Sequence, residues 1–520
     1  MNKKKRVFGF TLVLLLSTLI TACGSKNHKE QVNTNEPTKT SYGGSIIVGI
    51  TNDLDSLDPH KAVAAGTREV LFNMFEGLVK PNSNGELIPA VAQDYKISED
   101  GLTYTFTLRD GVKFHNGAIV TVDDVVYSIK RCAGLLKMND PEIKQISALS
   151  VISTVTALDN KTIEVVLSEP NTELLAYLTV AIIPENYEKQ ETAPVGTGPF
   201  KFVSYEALGS FVMEKNQDYY GTKPYLDQVT FKISADTNSA FMELQAGTID
   251  IFPYLTQAQA TQLTDQYNIE VGSSNLVQAL FLNNGVKPFD DVRVRQALCY
   301  GIDRQAIINF VAGGKGNIIG SNMFPNFKKY YAEELVNTYT YDVDKAKSLL
   351  AEAGYGDGFT FNIAVPSNYQ FHVDTAQVIV EQLKLIGVTA KIQLVEWATW
   401  LDDVYAGRNY EATIIGLDSE LVPSGILARY NSDSSKNFVN YENSEFDAIY
   451  QKAIGTTDDN LKVEYYKQLQ TILSEDAASV YIQDPASMFA INKKLGGYVF
   501  YPLYVQDMSL IYYKGEVEYH

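Results

Sequence analysis

Asp100-Gly101-Leu102-Thr103-Tyr104-Thr105-Phe106-Thr107-Leu108-Arg109-Asp110-Gly111-Val112-Lys113-Phe114-His115-Asn116-Gly117 is the most strongly patterned stretch of this chain. From Thr103 to Leu108, threonines alternate with Tyr104, Phe106 and Leu108. Side chains alternate across a strand, so the three large apolar residues share one face and predict a half-buried strand. Asp110-Gly111 predicts a hairpin turn, with Val112-Lys113-Phe114 as the returning strand. Thr121-Val122-Asp123-Asp124 has the spacing of a capping box opening a helix. Val122, Val126, Ile129, Ala133 and Leu136 make one apolar stripe along that helix.

Outward from this stretch, Ser45-Ile46-Ile47-Val48-Gly49-Ile50 reads as a buried strand, and residues 161–167 and 229–233 as two more. Val70, Leu71, Met74, Phe75 and Leu78 predict a helix over 66–78. Asp291 suits the N-cap of a helix carrying Val294, Leu298 and Ile302. Helices are predicted over 341–354 and 375–387, each closed by glycine, with strands over 359–365 and 389–395. Strands alternating with helices give an α/β class.

The amino terminus is of a different kind. Lys3 to Arg6 precede an apolar run from Val7 to Leu16, and Leu19-Ile20-Thr21-Ala22-Cys23 follows. The run is short of the ~20 apolar residues that span a bilayer. It predicts a secretory signal over 1–22, with Cys23 as a lipid attachment site. Residues 23–42 are polar and aperiodic, a tether.

The chain has 520 residues, 45% of them hydrophobic, which is globular composition. With 43 Lys+Arg against 62 Asp+Glu the net charge is −19, a surface that repels phosphate backbones and argues against a nucleic-acid partner. Cys132 and Cys299 are expected to be buried free thiols. No G-x-S-x-G, H-E-x-x-H or C-x-x-C motif is present, so no catalytic residue, metal or cofactor is assigned and the chain is not read as an enzyme. Gly196-Thr197-Gly198-Pro199 is read as a structural turn, since Pro199 lacks the amide that a phosphate cradle needs. Asp53, Asp55 and Asp58 begin like a calcium loop but lack its glycine and distal glutamate, so a ligand-facing or solvated loop is expected.

Leu87-Ile88-Pro89-Ala90-Val91-Ala92, the stretch 100–117, Asp124-Val125-Val126-Tyr127-Ser128, Val195 to Phe200, Asn283-Asn284 and Pro288 to Leu298 together resemble the family 5 extracellular solute-binding proteins. These are the oligopeptide-, dipeptide- and nickel-binding lipoproteins of ABC importers. The resemblance covers the chain after the tether. It implies a two-lobed periplasmic-binding-protein-like α/β fold with a hinge, of the cluster C type, its first lobe split into two subdomains. Lobe I would comprise 43–78, 195–280 and 483–520, with an extra subdomain over 79–194, and lobe II would be 281–482. The chain would cross between lobes near 279–285 and 481–484. The implied partners are a small-molecule or peptide ligand, ABC permease subunits with separate ATPase subunits, and the membrane through the lipid anchor. A monomer is expected.

In peptide-binding relatives a Gly-Trp segment followed by aspartate takes the peptide's α-amine. The matching stretch is Ile415-Gly416-Leu417-Asp418-Ser419-Glu420, with Leu417 in place of tryptophan. The resemblance thus implies Asp418 or Glu420 as the amine-binding carboxylate. It places Asp53, with Leu54 and Asp55, in an early loop near that amine, and Trp397 and Trp400 along the cleft. Arg293 and Arg295 are expected in fold-holding ion pairs. Arg408 and Arg429 lie nearby in sequence but match no cationic site of the relatives. The ligand expected is a peptide. A sugar, an amine or a chelated metal is the alternative, and a peptide-sensing surface protein would share the sequence.

Overall fold

The computed structural model describes residues 40–515 except 137–139, 144, 254, 264, 368, 419 and 420. The signal segment, Cys23 and Glu420 lie outside the described residues. Thr40, two residues before the expected end of the tether, already lies in a strand. Thr40 and Ser41 pair antiparallel with Lys514 and Tyr513.

The fold is two-lobed α/β. One hydrogen-bonded path of strands runs through both lobes, and its spine is the strand Ser479–Asn492. This strand is buried along nearly all its length, as a central strand covered on both faces must be. Residues 479–483 pair with Leu276–Leu282, and residues 486–492 pair with Tyr267–Ser273. Pro485, which has no amide to donate, sits where one partner hands over to the other. Leu276–Leu282 continues through Ala412–Asp418 and Thr360–Pro366 to Thr389–Val395. On the other side, Ile251–Phe252, Ser45–Ile50, Gln228–Ile233, Ser210–Lys215 and Phe200–Glu206 follow in order. The first crossing is therefore Ser274-Asn275, ahead of 279–285. Residues 276–282 are already paired with 412–418 inside the second lobe.

Apolar clusters cover both faces of the second-lobe strands, one around Leu280, Ile363 and Ile414 and one around Phe281, Trp400 and Tyr466. The four strands Ala92–Ile97, Thr103–Leu108, Thr162–Leu167 and Ile152–Ala157 form a separate sheet with its own core. Thr103–Leu108 forms as predicted, with Tyr104, Phe106 and Leu108 buried together. The predicted hairpin does not form. Both edges of Thr103–Leu108 are occupied, by 92–97 and 162–167, so Val112-Lys113-Phe114 has no edge to join. Gly111 still turns the chain at φ +71, and Phe114 closes a tighter turn with Ala118.

The capping box of Thr121 and Asp124 opens the helix Val122–Cys132, and Asp291 caps Val292–Gly301. The helix expected over 66–78 stops at Leu71. Beyond it the Asn73 and Met74 carbonyls leave the helical ladder and accept from Phe200 and Gly198. That contact explains the Gly-Thr-Gly-Pro turn, because a Cβ on Gly196 would stand 2.3 Å from the Met74 oxygen. Cys132 and Cys299 are free and buried, and burial pushes both thiols up to about 12. Arg293 pairs with Asp291 at 2.6 Å. Arg295 makes no ion pair among the described residues; it donates to the Phe289, Asp476 and Ala477 carbonyls and so caps the end of the helix Asp459–Glu475.

Candidate functional site

Asp418 ends the strand Ala412–Asp418 and pairs with Leu276, the first residue after the crossing. Strand register thus delivers its carboxylate to the junction of the lobes. Arg68, on the helix Ala65–Leu71 of the first lobe, brings Nη2 to 3.8 Å from Asp418 Oδ2. From the second lobe, Arg429 Nη2 lies 3.5 Å from Oδ1. The Asp418 carboxylate is partly exposed between two guanidinium groups, at distances too long for good hydrogen bonds.

The Gly416-Leu417 segment leading to Asp418 is held from below. The Gly416 amide donates to Nε2 of buried His372 at 3.1 Å, and Nδ1 lies 2.9 Å from the Gln278 side-chain amide. Burial pushes His372 down to about 4, so the ring is neutral at pH 7. His372 escaped the sequence reading because the helix that carries it, Gln370–Lys384, starts five residues before the predicted Thr375. Next to the crossing, Asp484 accepts from Ser273 Oγ and from the Leu276 amide at 3.2 Å. Burial pushes its carboxyl up to about 6.

The remaining predicted residues are placed differently. Both Asp53 oxygens are occupied: Oδ1 accepts from Tyr205 Oη and the Leu54 amide, Oδ2 from the Leu208 amide. Leu54 is buried in the first-lobe core. Asp55 Oδ2 accepts from the Val63 and Ala64 amides. Burial raises its carboxyl, but hydrogen bonds from Thr67 and these amides bring it below the usual range. The acidic loop therefore holds itself together through internal hydrogen bonds, and Asp58 completes it through Arg131. Trp400 is 2% exposed and donates Nε1 to Thr413 Oγ1 at 3.0 Å, so it is a core residue. Trp397 stacks on it at 5.2 Å and meets Tyr369 edge-on, whose ring lies 5.7 Å from His372. Arg408 sits at the far end of the second lobe, donating to Asn440. An open polar pocket there, lined by Asn362, Gln393, Asp403 and Glu411, is remote from the crossing.

The lobes also meet at the four-stranded subdomain. The Thr172 amide donates to the Ile454 carbonyl at 3.1 Å, and Tyr466 Oη donates to buried Glu173. Burial pushes the Glu173 carboxyl up.

The model for bacterial extracellular solute-binding proteins, family 5 Middle, matches residues 86–438. The dipeptide-binding protein of Escherichia coli is 30% identical over 454 residues, which is 80% of this chain and 84% of that one. Among solved structures, the ABC transporter substrate-binding protein CtaP of Listeria monocytogenes aligns with a TM-score of 0.82 at 27% identity, over 91% of this chain and 100% of that one. The periplasmic binding protein DppA of Helicobacter pylori, in complex with the peptide STSA, gives 0.81 at 27% identity, over 91% and 99%. With the two-lobed fold and the interlobe Asp418 beside them, these matches establish that the chain belongs to the bacterial extracellular solute-binding proteins of family 5.

Proposed function

We propose that this protein is the solute-capturing subunit of an ABC importer and that its solute is a peptide. The peptide is held between the lobes and handed to a membrane permease driven by separate ATPase subunits. The observation that carries the reading is the Asp418 carboxylate, set at the interlobe junction on a segment whose geometry His372 and Gln278 fix. The Escherichia coli relative is a dipeptide-binding protein and the Helicobacter pylori one holds a peptide, which supports the solute class. Ligand binding favours the closed arrangement to the extent that it touches both lobes. Native mass spectrometry of protein purified from its own host should release peptides. A sugar or metal chelate in the cleft, with no peptide, would overturn the reading.

Cys23 is proposed to carry the lipid that keeps the protein at the outer face of the membrane, on the motif Leu19 to Cys23. Two or more acyl chains anchor stably. Cys23→Ala should release the protein from membranes, and a variant retained after carbonate washing would refute the anchor.

A further inference from the structure

We infer that Arg429 is the anion-recognising residue of this site, and that the solute carries a carboxylate beside its ammonium group. The inference rests on reading the interlobe junction as the ligand site. Arg429 is 5% exposed, a burial at which a charged group needs partners on all sides. Among the described residues it lacks them. Nη2 lies 3.5 Å from both the carbonyl and Oδ1 of Asp418, at the outer limit of hydrogen bonding. Nε and Nη1, which carry three of an arginine's five donors, have no hydrogen-bond partner. A planar guanidinium with free donors suits the two oxygens of a carboxylate better than any neutral group.

Charge balance at the junction points the same way. Among the described residues, Arg68 and Arg429 flank one carboxylate, so this described cluster is one positive charge in excess. A solute bringing only an ammonium to Asp418 would increase that excess. A solute bringing an ammonium to Asp418 and a carboxylate to Arg429 makes signs alternate around the cluster. The short Asp418–Arg429 separation then limits where the solute's two charges lie. An extended peptide advances ~3.3 Å per residue, so the carboxyl end of a tripeptide or longer chain is out of reach of a guanidinium that adjoins the amine site. In a tripeptide or longer chain the carboxylate must therefore sit near the amine, as in an amino-terminal Glu or Asp, and a free acidic amino acid offers the same pair of charges.

The test is titration calorimetry with Glu-Ala-Ala against Gln-Ala-Ala, and with free glutamate against glutamine, on wild type, Arg429→Gln and Arg429→Lys. Charge-assisted hydrogen bonds predict a preference of about 10- to 100-fold for the Glu-headed tripeptide in wild type. Arg429→Gln should abolish the preference, and Arg429→Lys, a point charge without the fork, should keep part of it. Should Arg429→Gln fail to fold, the wild-type and Arg429→Lys comparisons decide. Equal, measurable affinity for both tripeptides, or a preference that survives Arg429→Gln unchanged, overturns the assignment and leaves peptide capture standing. A preference for glutamate over glutamine without tripeptide binding overturns peptide capture and leaves the anion site standing. Binding of none of the four solutes overturns both.

Discussion

Asp58→Ala is expected to destabilise the folded body by about 3–5 kcal/mol, read as a lower urea midpoint at unchanged slope. Asp58 and Arg131 are both buried and meet through two parallel hydrogen bonds of 3.0 and 2.7 Å. The His60 amide adds a third donor to Oδ1 at 2.9 Å. Burial alone would raise the Asp58 carboxyl, but the Arg131 hydrogen bond and charge hold it below its ordinary value. The pair ties the first-lobe loop to the helix Val122–Cys132 of the extra subdomain. Removing the carboxylate leaves a buried guanidinium uncompensated, which is why one substitution costs far more than the net worth of the pair. The double change Asp58→Leu with Arg131→Met should therefore cost much less than Asp58→Ala. A single-variant loss under about 1 kcal/mol, the value of an exposed pair, would refute this account. The pH sign follows from the depressed carboxyl. The stabilisation is complete above the unfolded value of about 4 and is lost as pH falls through the lower folded value.

Asp418→Asn is expected to weaken peptide binding by about 100- to 3000-fold, and acetylating the peptide's amine should do the same. The carboxylate is partly exposed, and a solute seated between the lobes would desolvate it. Breaking a desolvated pair costs ~3–5 kcal/mol, at ~1.4 kcal/mol per tenfold. An exposed carboxylate would contribute ~0–1 kcal/mol, less than about tenfold. Asp53→Asn serves as the internal contrast, because its oxygens are already occupied by Tyr205, Leu54 and Leu208. Calorimetry with a peptide recovered from the native protein measures all three. Affinities within about fivefold of wild type for Asp418→Asn and for the acetylated peptide would exclude amine recognition at Asp418.

The sequence by itself determined the features that are local in the chain. The alternation from Thr103 to Leu108 needs only the two-residue period of a strand, and it formed as read. The Thr121–Asp124 box and the Asp291 cap involve residues two or three apart, so their geometry follows once the helix begins. The family motifs carried the two-lobed α/β fold and pointed to Asp418 or Glu420. Tertiary structure decided whatever depended on partners far along the chain. Val112–Phe114 lost its hairpin because strands 92–97 and 162–167 took both edges of its intended partner. Asp53 is held by Tyr205 and Leu208, about 150 residues away, and Trp400 turned inward to Thr413. Arg68 and Asp418 meet across 350 positions only because the strand Ser479–Asn492 pairs with both lobes. No local period encodes that pairing: it is set by burial of the spine on both faces, and the charges at the junction follow from it.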